Sequence, residues 1–309
     1  MTHHFRCGNM LARNLLYRED VLPGSTSPVE HIIIDIANLA VGITTTDLTV
    51  AQRIRHSYHD FLNPKANPVV TFTLEVKPGA LYIEPQPGNW IIESHYTSEH
   101  LAFKSYHEYG ELNLITGQGY LEMAPEAYIE NYLRVVYAWL CMSNESLLMH
   151  ASGVIHNGEG YVFFGPSGAG KTTMSRLSAN QATILSDDLV IIRKQDDQYY
   201  LFGVPFKGEL SDAPRANQHA PLKGIFRLRQ DVRHYIEPLS RVIAVAEMAG
   251  SAPFINNVST LNGKLLMMCN RIAKSVPVQQ LHFRRDDGFW KVIDEFYTPV
   301  SQTASTNSW

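Results

Sequence analysis

The chain has 309 residues, 45% of them hydrophobic and 18% charged, with a formal net charge of −4. That length holds one large domain or two modest ones, and the composition can bury a core. So small a charge argues for neither a nucleic-acid partner nor a membrane surface.

Three widely spaced cysteines, Cys7, Cys141 and Cys269, form no disulfide framework or zinc spacing and suit a reducing compartment. The first residues have no apolar stretch like a signal peptide, and no run reaches the about 18 apolar residues of a membrane helix. The expectation is a soluble cytoplasmic protein with no membrane or nucleic-acid partner.

Residues 23–28 carry a Pro-Gly loop signal. Residues 31–36 read as a strand because β-branched side chains dominate them. A helix is expected from Asp47, with Asp47 or Thr46 as its cap, to Phe61-Leu62, where Asn63-Pro64 stops it. Short strands follow at 69–76, 80–83, 90–94, 101–104, 112–115 and 119–123, separated by glycine and proline turns. Residues 1–124 thus read as a mostly antiparallel α+β module. Its histidines are scattered, without a cysteine or carboxylate partner at metal-ligand spacing. Pro125-Glu126 opens a helix through Tyr132, Val136 and Leu140 to Met142. Its apolar stripe reads as core packing, and residues 125–145 serve as a bridge.

The second unit, residues 146–300, opens with a strand at 146–154 and an Asn157-Gly158 turn, a hairpin signal. A short strand at 160–164 then enters Gly165-Pro166-Ser167-Gly168-Ala169-Gly170-Lys171-Thr172-Thr173. This run fits G-x-x-x-x-G-K-[ST] at every required position. Gly165, Gly168 and Gly170 let the backbone curl so that several N–H groups converge on one anion. Lys171 brings a positive charge to the outer phosphates, and the Thr172 hydroxyl can ligate Mg²⁺. The helix leaving the loop adds its positive end.

Residues 182–192 read as strand, acidic pair, strand. Asp187-Asp188 lies sixteen residues beyond Lys171, and a helix plus a short turn returns the chain to the sheet beside the loop. One carboxylate can hold Mg²⁺ and the other can accept a proton from an attacking hydroxyl. Two carboxylates flanked by apolar residues are costly to bury without a metal or a partner. His150, at a strand end before the hairpin, could reach the same site as a metal ligand or as partner of a carboxylate, or be a core histidine.

Met149-His150-Ala151-Ser152, the run from Val162 to Ser175, and Ser186-Asp187-Asp188 together resemble the phosphate-loop core of the HPr serine kinase/phosphorylase family. They are also similar to ATP-dependent phosphoenolpyruvate carboxykinase, its structural relative. Stretches at 202–209, 220–226 and 236–239 share that look, so the resemblance covers residues 146–285. It implies an α/β fold with a carboxykinase-like P-loop kinase core of mixed β-sheet and few helices, behind the N-terminal module. The implied activity is ATP-dependent phosphorylation of a serine hydroxyl on a peptide or protein. By position, Lys171 contacts the phosphates, Thr172 and Asp188 bind Mg²⁺, and Asp187 accepts the proton, with the two aspartates exchangeable. His150 supports the acidic pair; in the carboxykinase pattern the equivalent histidine binds a second metal. This loop ends in Lys-Thr rather than Lys-Ser, and the glycine-rich segment tied to phosphorylase activity is not recognised. Reversal by phosphate and HPr as substrate are therefore not implied. Related kinases assemble as oligomers, which makes a homo-oligomer compatible with the resemblance.

Two rivals share these residues: a small-molecule hydroxyl kinase, and a nucleotide-binding regulatory module without transfer. The acidic pair argues against the second, because a sensor needs only the loop and one metal ligand. Arg215, Lys223, Arg227, Arg229 and Arg233 read as a solvated basic face, and Lys207 and Glu209 sit in a loop suited to substrate binding. A strand at 281–283, a short helix after 287 and a disordered polar tail at 301–309 complete the expected chain.

Overall fold

The structure is a computed structural model that describes residues 28–86, 91–206, 208 and 216–298. The tail at 301–309, nearly all of the loop at 23–28, and Lys207, Glu209 and Arg215 lie outside the described residues.

Seven strands form the first sheet: β1 (Glu30–Ile36), β2 (Leu39–Thr45), β3 (Val70–Val76), β4 (Glu93–Tyr96), β5 (His100–Lys104), β6 (Glu108–Asn113) and β7 (Gln118–Met123). Their spatial order is β1-β2-β3-β7-β6-β5-β4. β3 runs parallel to both β2 and β7, and the remaining pairs are antiparallel. The parallel step from β2 to β3 needs a crossover, which α1 (Leu48–Ser57) supplies. Its cap is Asp47, whose carboxylate accepts from the Val50 N–H at 2.8 Å.

Three expectations in this half need correction. β2 went unread because its hairpin turn is Ala37-Asn38, with φ of 55° and 58°. Both positions are left-handed, as a tight hairpin requires, yet alanine carries no turn signal. No strand forms at 80–83; the Tyr82 N–H donates to the Tyr106 carbonyl at 2.8 Å within irregular chain. The helix expected from Pro125 begins later, as α2 (Glu130–Ser143). The Arg53 guanidinium takes the Pro125 and Ala127 carbonyls at 2.7 and 2.6 Å. Those are the acceptors a helix starting at Pro125 would need.

The second sheet comprises β8 (Ser146–His156), β9 (Glu159–Phe164), β10 (Thr183–Ser186), β11 (Leu189–Gln195), β12 (Gln198–Phe202), β13 (His219–Gln230), β14 (Tyr235–Pro238) and β15 (Val278–Phe283). β8 pairs with β11 along its first half and with β9 and β10 along its second. Because β12 joins β11 to β13 and β13 pairs with β9, the chain β8-β11-β12-β13-β9-β8 closes a ring. Two glycines permit the closure. A Cβ on Gly153 would meet Val190 at 2.6 Å, and one on Gly160 would meet Leu201 at 2.9 Å. The Asn157-Gly158 turn, both residues at positive φ, joins β8 to β9 as expected.

Four more helices accompany this sheet: α3 (Lys171–Ser178), α4 (Arg241–Gly250), α5 (Ser259–Ser275) and α6 (Phe289–Tyr297). The described chain is therefore mixed α/β with two mixed sheets and six helices, more helical than expected. The missed pair is α4 and α5. Exposed Val242 and Ile243 blur the apolar stripe of α4.

α2 lies between the sheets and is apolar nearly all round. Tyr132 fits against Gly110 and Gly119, where a Cβ would strike its ring at 2.6 Å and its hydroxyl at 3.1 Å, and it donates to the Glu111 carbonyl at 2.9 Å. Tyr137 donates to the Leu39 carbonyl at 2.7 Å. Each such buried aromatic contributes about 2 kcal/mol through the area it removes from water. No helix of the described residues is long and apolar enough to cross a membrane.

Candidate functional site

The glycine-rich loop sits at the C-terminal ends of three mutually parallel strands, β9, β13 and β15. The carboxyl ends of parallel strands, where the chain turns into a helix, are a common place for ligands. Gly165, Gly168 and Gly170 have φ of 154°, 78° and 109°, so the backbone curls as the motif requires. The ends of the flanking strands brace the loop. Gln230 donates to the Gly168 carbonyl at 2.8 Å, and a Cβ on Gly170 would meet the Phe283 ring at 2.6 Å. Gly170→Ala should accordingly lower stability by about 2 kcal/mol, because strained φ and the clash act together. A denaturant midpoint equal to that of the unmodified chain would refute this.

Lys171 begins α3 and is only 8% exposed. Its ammonium folds back across the loop, donating to the Gly165 carbonyl at 3.1 Å and the Pro166 carbonyl at 3.4 Å. Pro166, Ser167 and Gly168 are exposed, so the mouth of the loop is open to solvent. The open amide cradle, the lysine and the helix start suit a polyphosphate. Thr172, the next residue of α3, carries the hydroxyl that could reach a phosphate-bound Mg²⁺. Among the described residues no group of three or more His, Cys, Asp or Glu could hold a metal alone. Mg²⁺ on a nucleotide needs only one or two protein ligands besides phosphate oxygens.

Register brings the acidic pair to this loop. Phe164, the last residue of β9, pairs with Ala151 on one side of β8. On the other side the Ala151 N–H donates to the Asp188 carbonyl at 3.0 Å. One strand therefore separates loop and acidic pair, a span of about 10 Å or two strand spacings. The turn between β10 and β11 is held locally by the Ser186 hydroxyl, which accepts from the Asp188 and Leu189 N–H groups at 3.2 Å each. Asp187 is buried, at 5% exposure, and its carboxylate lies against Gly208, where a Cβ would meet an oxygen at 2.2 Å. The approach of Gly208 to this carboxylate thus requires glycine there.

His150 shares its face of β8 with Ser152, by strand alternation. Ser152 and Ser175, the latter one turn into α3, share a hydrogen bond of 2.6 Å. His150 therefore stands on the α3 side of the sheet, nearer the loop. Its Nδ1 is 3.2 Å from Asp188 Oδ1, and its side chain is 41% exposed.

Asp188 has two partners that spacing along the chain does not announce. Its Oδ2 accepts from Arg134 Nη1 at 3.0 Å while Oδ1 faces His150, so both oxygens already have cationic or donor partners. Burial alone would raise the Asp188 carboxyl. The His150 hydrogen bond and the Arg134 guanidinium outweigh it and hold the group below the usual carboxylate range. A Mg²⁺ ion at Asp188 would have to share a carboxylate whose two oxygens these partners already engage. Arg134 was missed because α2 reads as a core helix. The signal was there: it is the one cation in the run 129–143, four residues after Glu130, and a lone half-buried arginine in an apolar helix demands a carboxylate.

The supposed basic face is partly paired. Lys223 meets Glu159 at 2.8 Å and Arg227 meets Glu247 at 2.8 Å.

No curated protein matches this chain. A solved structure, the Hpr(Ser) kinase/phosphatase from Coxiella burnetii, aligns at 8% identity, covering 48% of this chain and 95% of that one, with a TM-score of 0.28. At that score the fold assignment rests on the strands and helices themselves. The profile of the family described as SynChlorMet cassette protein ScmC matches residues 127–298, which takes in α2 and runs to the end of the described chain. That match spans more than half of the sequence, and the chain belongs to the ScmC family of SynChlorMet cassette proteins.

Proposed function

We propose that this protein is a Mg·ATP-dependent kinase that transfers the γ-phosphate to a serine hydroxyl of a peptide or protein, on a carboxykinase-like P-loop core. One observation carries the reading: loop and acidic pair flank a single strand, β8, both in register with Ala151 at its middle. In-line phosphoryl transfer needs positioning and charge neutralisation more than covalent chemistry, and these residues supply both.

In this reading the loop amides and Lys171 hold the triphosphate. Asp187 takes the seryl proton as the oxygen attacks. The new Oγ–phosphorus bond forms while the bond to the bridging oxygen breaks, and ADP departs. Thr172 would hold Mg²⁺ beside the phosphates, where the ion would neutralise part of their charge. Asp188 holds His150 rather than the metal.

The test is incubation with labelled ATP, Mg²⁺ and seryl peptides. Transfer to a seryl oxygen that Asp187→Asn abolishes is the expected result. Label on a free metabolite alone would make it a small-molecule kinase, and tight ATP binding without transfer a regulatory module. Either outcome overturns the peptide-kinase reading.

A further inference from the structure

We infer that Arg134 is a positioning residue of this site: from α2 it commits Asp188 to holding His150, and it ties the site to the N-terminal sheet. The inference deepens the kinase reading and rests on it only for the turnover measurement below.

Arg134 has two carboxylate partners, Asp188 at 3.0 Å and Glu130, one helical turn back, at 2.8 Å. Its guanidinium carbon lies 5.6 Å from the centre of the Phe206 ring, which also meets Tyr137 edge-on at 6.0 Å. Phe206 stands two residues before Gly208, which lies against Asp187. The same arginine therefore touches both sides of the acidic pair's surroundings. A planar fork with two donors can hold one carboxylate oxygen in a fixed place, which a lysine cannot do as well.

The far end of this link is the first sheet. α2 is pinned there by Tyr137 on the Leu39 carbonyl and by the Tyr96 hydroxyl on the Val135 carbonyl at 3.1 Å. Arg193, on β11 beyond Asp188, bonds the Ala37 carbonyl in the β1–β2 turn. A shift of the first sheet against α2 would thus be felt at Asp188. Around His150 the charged groups are Asp188, on the β10–β11 turn, and Arg134, which reaches Asp188 from α2. Of these Asp188 meets its ring directly. A carboxylate can only accept, so His150 Nδ1 is the donor, and Nε2 is left for the site.

The experiment uses the full chain, ¹⁵N-labelled, at neutral pH, with the His150 ring signals assigned by His150→Gln. In the unmodified protein the Nδ1–H form should dominate. Arg134→Met should move the tautomer ratio at least about tenfold toward Nε2–H, as an orienting contact of this kind predicts. Arg134→Lys should restore much of it. Arg134→Gln, which can still bond Glu130, replaces the methionine variant if that one does not fold. A folded variant whose His150 signals match the unmodified protein overturns the inference, because a merely structural arginine would change the melting point and not the tautomer. In the transfer assay Arg134→Met should lower kcat roughly 10–100-fold with the KM for ATP unchanged. A rise in KM alone overturns the positioning role. An unmodified chain that transfers nothing overturns the kinase reading alone, and the His150 signals then still decide Arg134.

Discussion

Lys171→Ala should reduce phosphate transfer by about 10³-fold, equivalent to about 4 kcal/mol of transition-state stabilisation. The loop holds this ammonium at 8% exposure between two of its own carbonyls, at 3.1 and 3.4 Å. A buried charge so placed is costly to keep unless an anion uses it. When phosphoryl oxygens gain charge, a fixed ammonium in a water-poor cradle responds without reorganising. Alanine removes that response and leaves two carbonyls with less satisfaction, but α3 and the parallel strand ends persist. Circular dichroism should be unchanged, and calorimetric binding of Mg·ADP should weaken together with transfer. Arginine is not expected to rescue, because a planar fork does not replace a compact point charge inside the loop. Transfer by Lys171→Ala at the unmodified rate would remove the loop from the mechanism.

Glu108→Gln should flatten the pH dependence of stability. Glu108 on β6 is 2% exposed, and burial lifts its carboxyl from 4.5 to about 7, against the opposing pull of Ser105 and Asn131. Asn131, near the start of α2, donates to Oε2 at 2.9 Å, while Oε1 is buried without a partner. The folded state therefore binds this proton more tightly than the unfolded state. Below pH 4.5 the group costs nothing. The penalty grows as pH rises through the interval to about 7 and then levels off near 3 kcal/mol. Glutamine carries no charge to desolvate. Its unpaired N–H adds a fixed penalty that is the same at every pH, so the signature is the slope and not the absolute melting point. Between pH 5 and pH 8 the unmodified protein should lose about 5 °C that the variant retains. Parallel melting curves for the two proteins would show that Glu108 is already compensated.

Local chemistry was legible wherever a residue type serves one backbone need. The Asn157-Gly158 hairpin, the Asp47 cap and the three loop glycines each follow from conformations that few residues adopt. Turns built from residues with no such preference escaped, as at Ala37-Asn38. Helices whose exposed faces carry valine and isoleucine escaped for a related reason: α4 breaks the alternation of apolar and polar that periodicity reads.

The order of residues along the chain determined that a glycine-bent loop ends in Lys171-Thr172 and that two aspartates follow one helix later, since both are matters of spacing between neighbours. Which strand lies between them, and what each carboxylate touches, depended on contacts across 54 and 38 residues, from Arg134 and His150 to Asp188. No spacing rule encodes those contacts, because they arise only when α2 is buried between two sheets and its single cation must find an acid there. What Asp188 touches was thus decided by packing, and the curl of the loop by local backbone geometry.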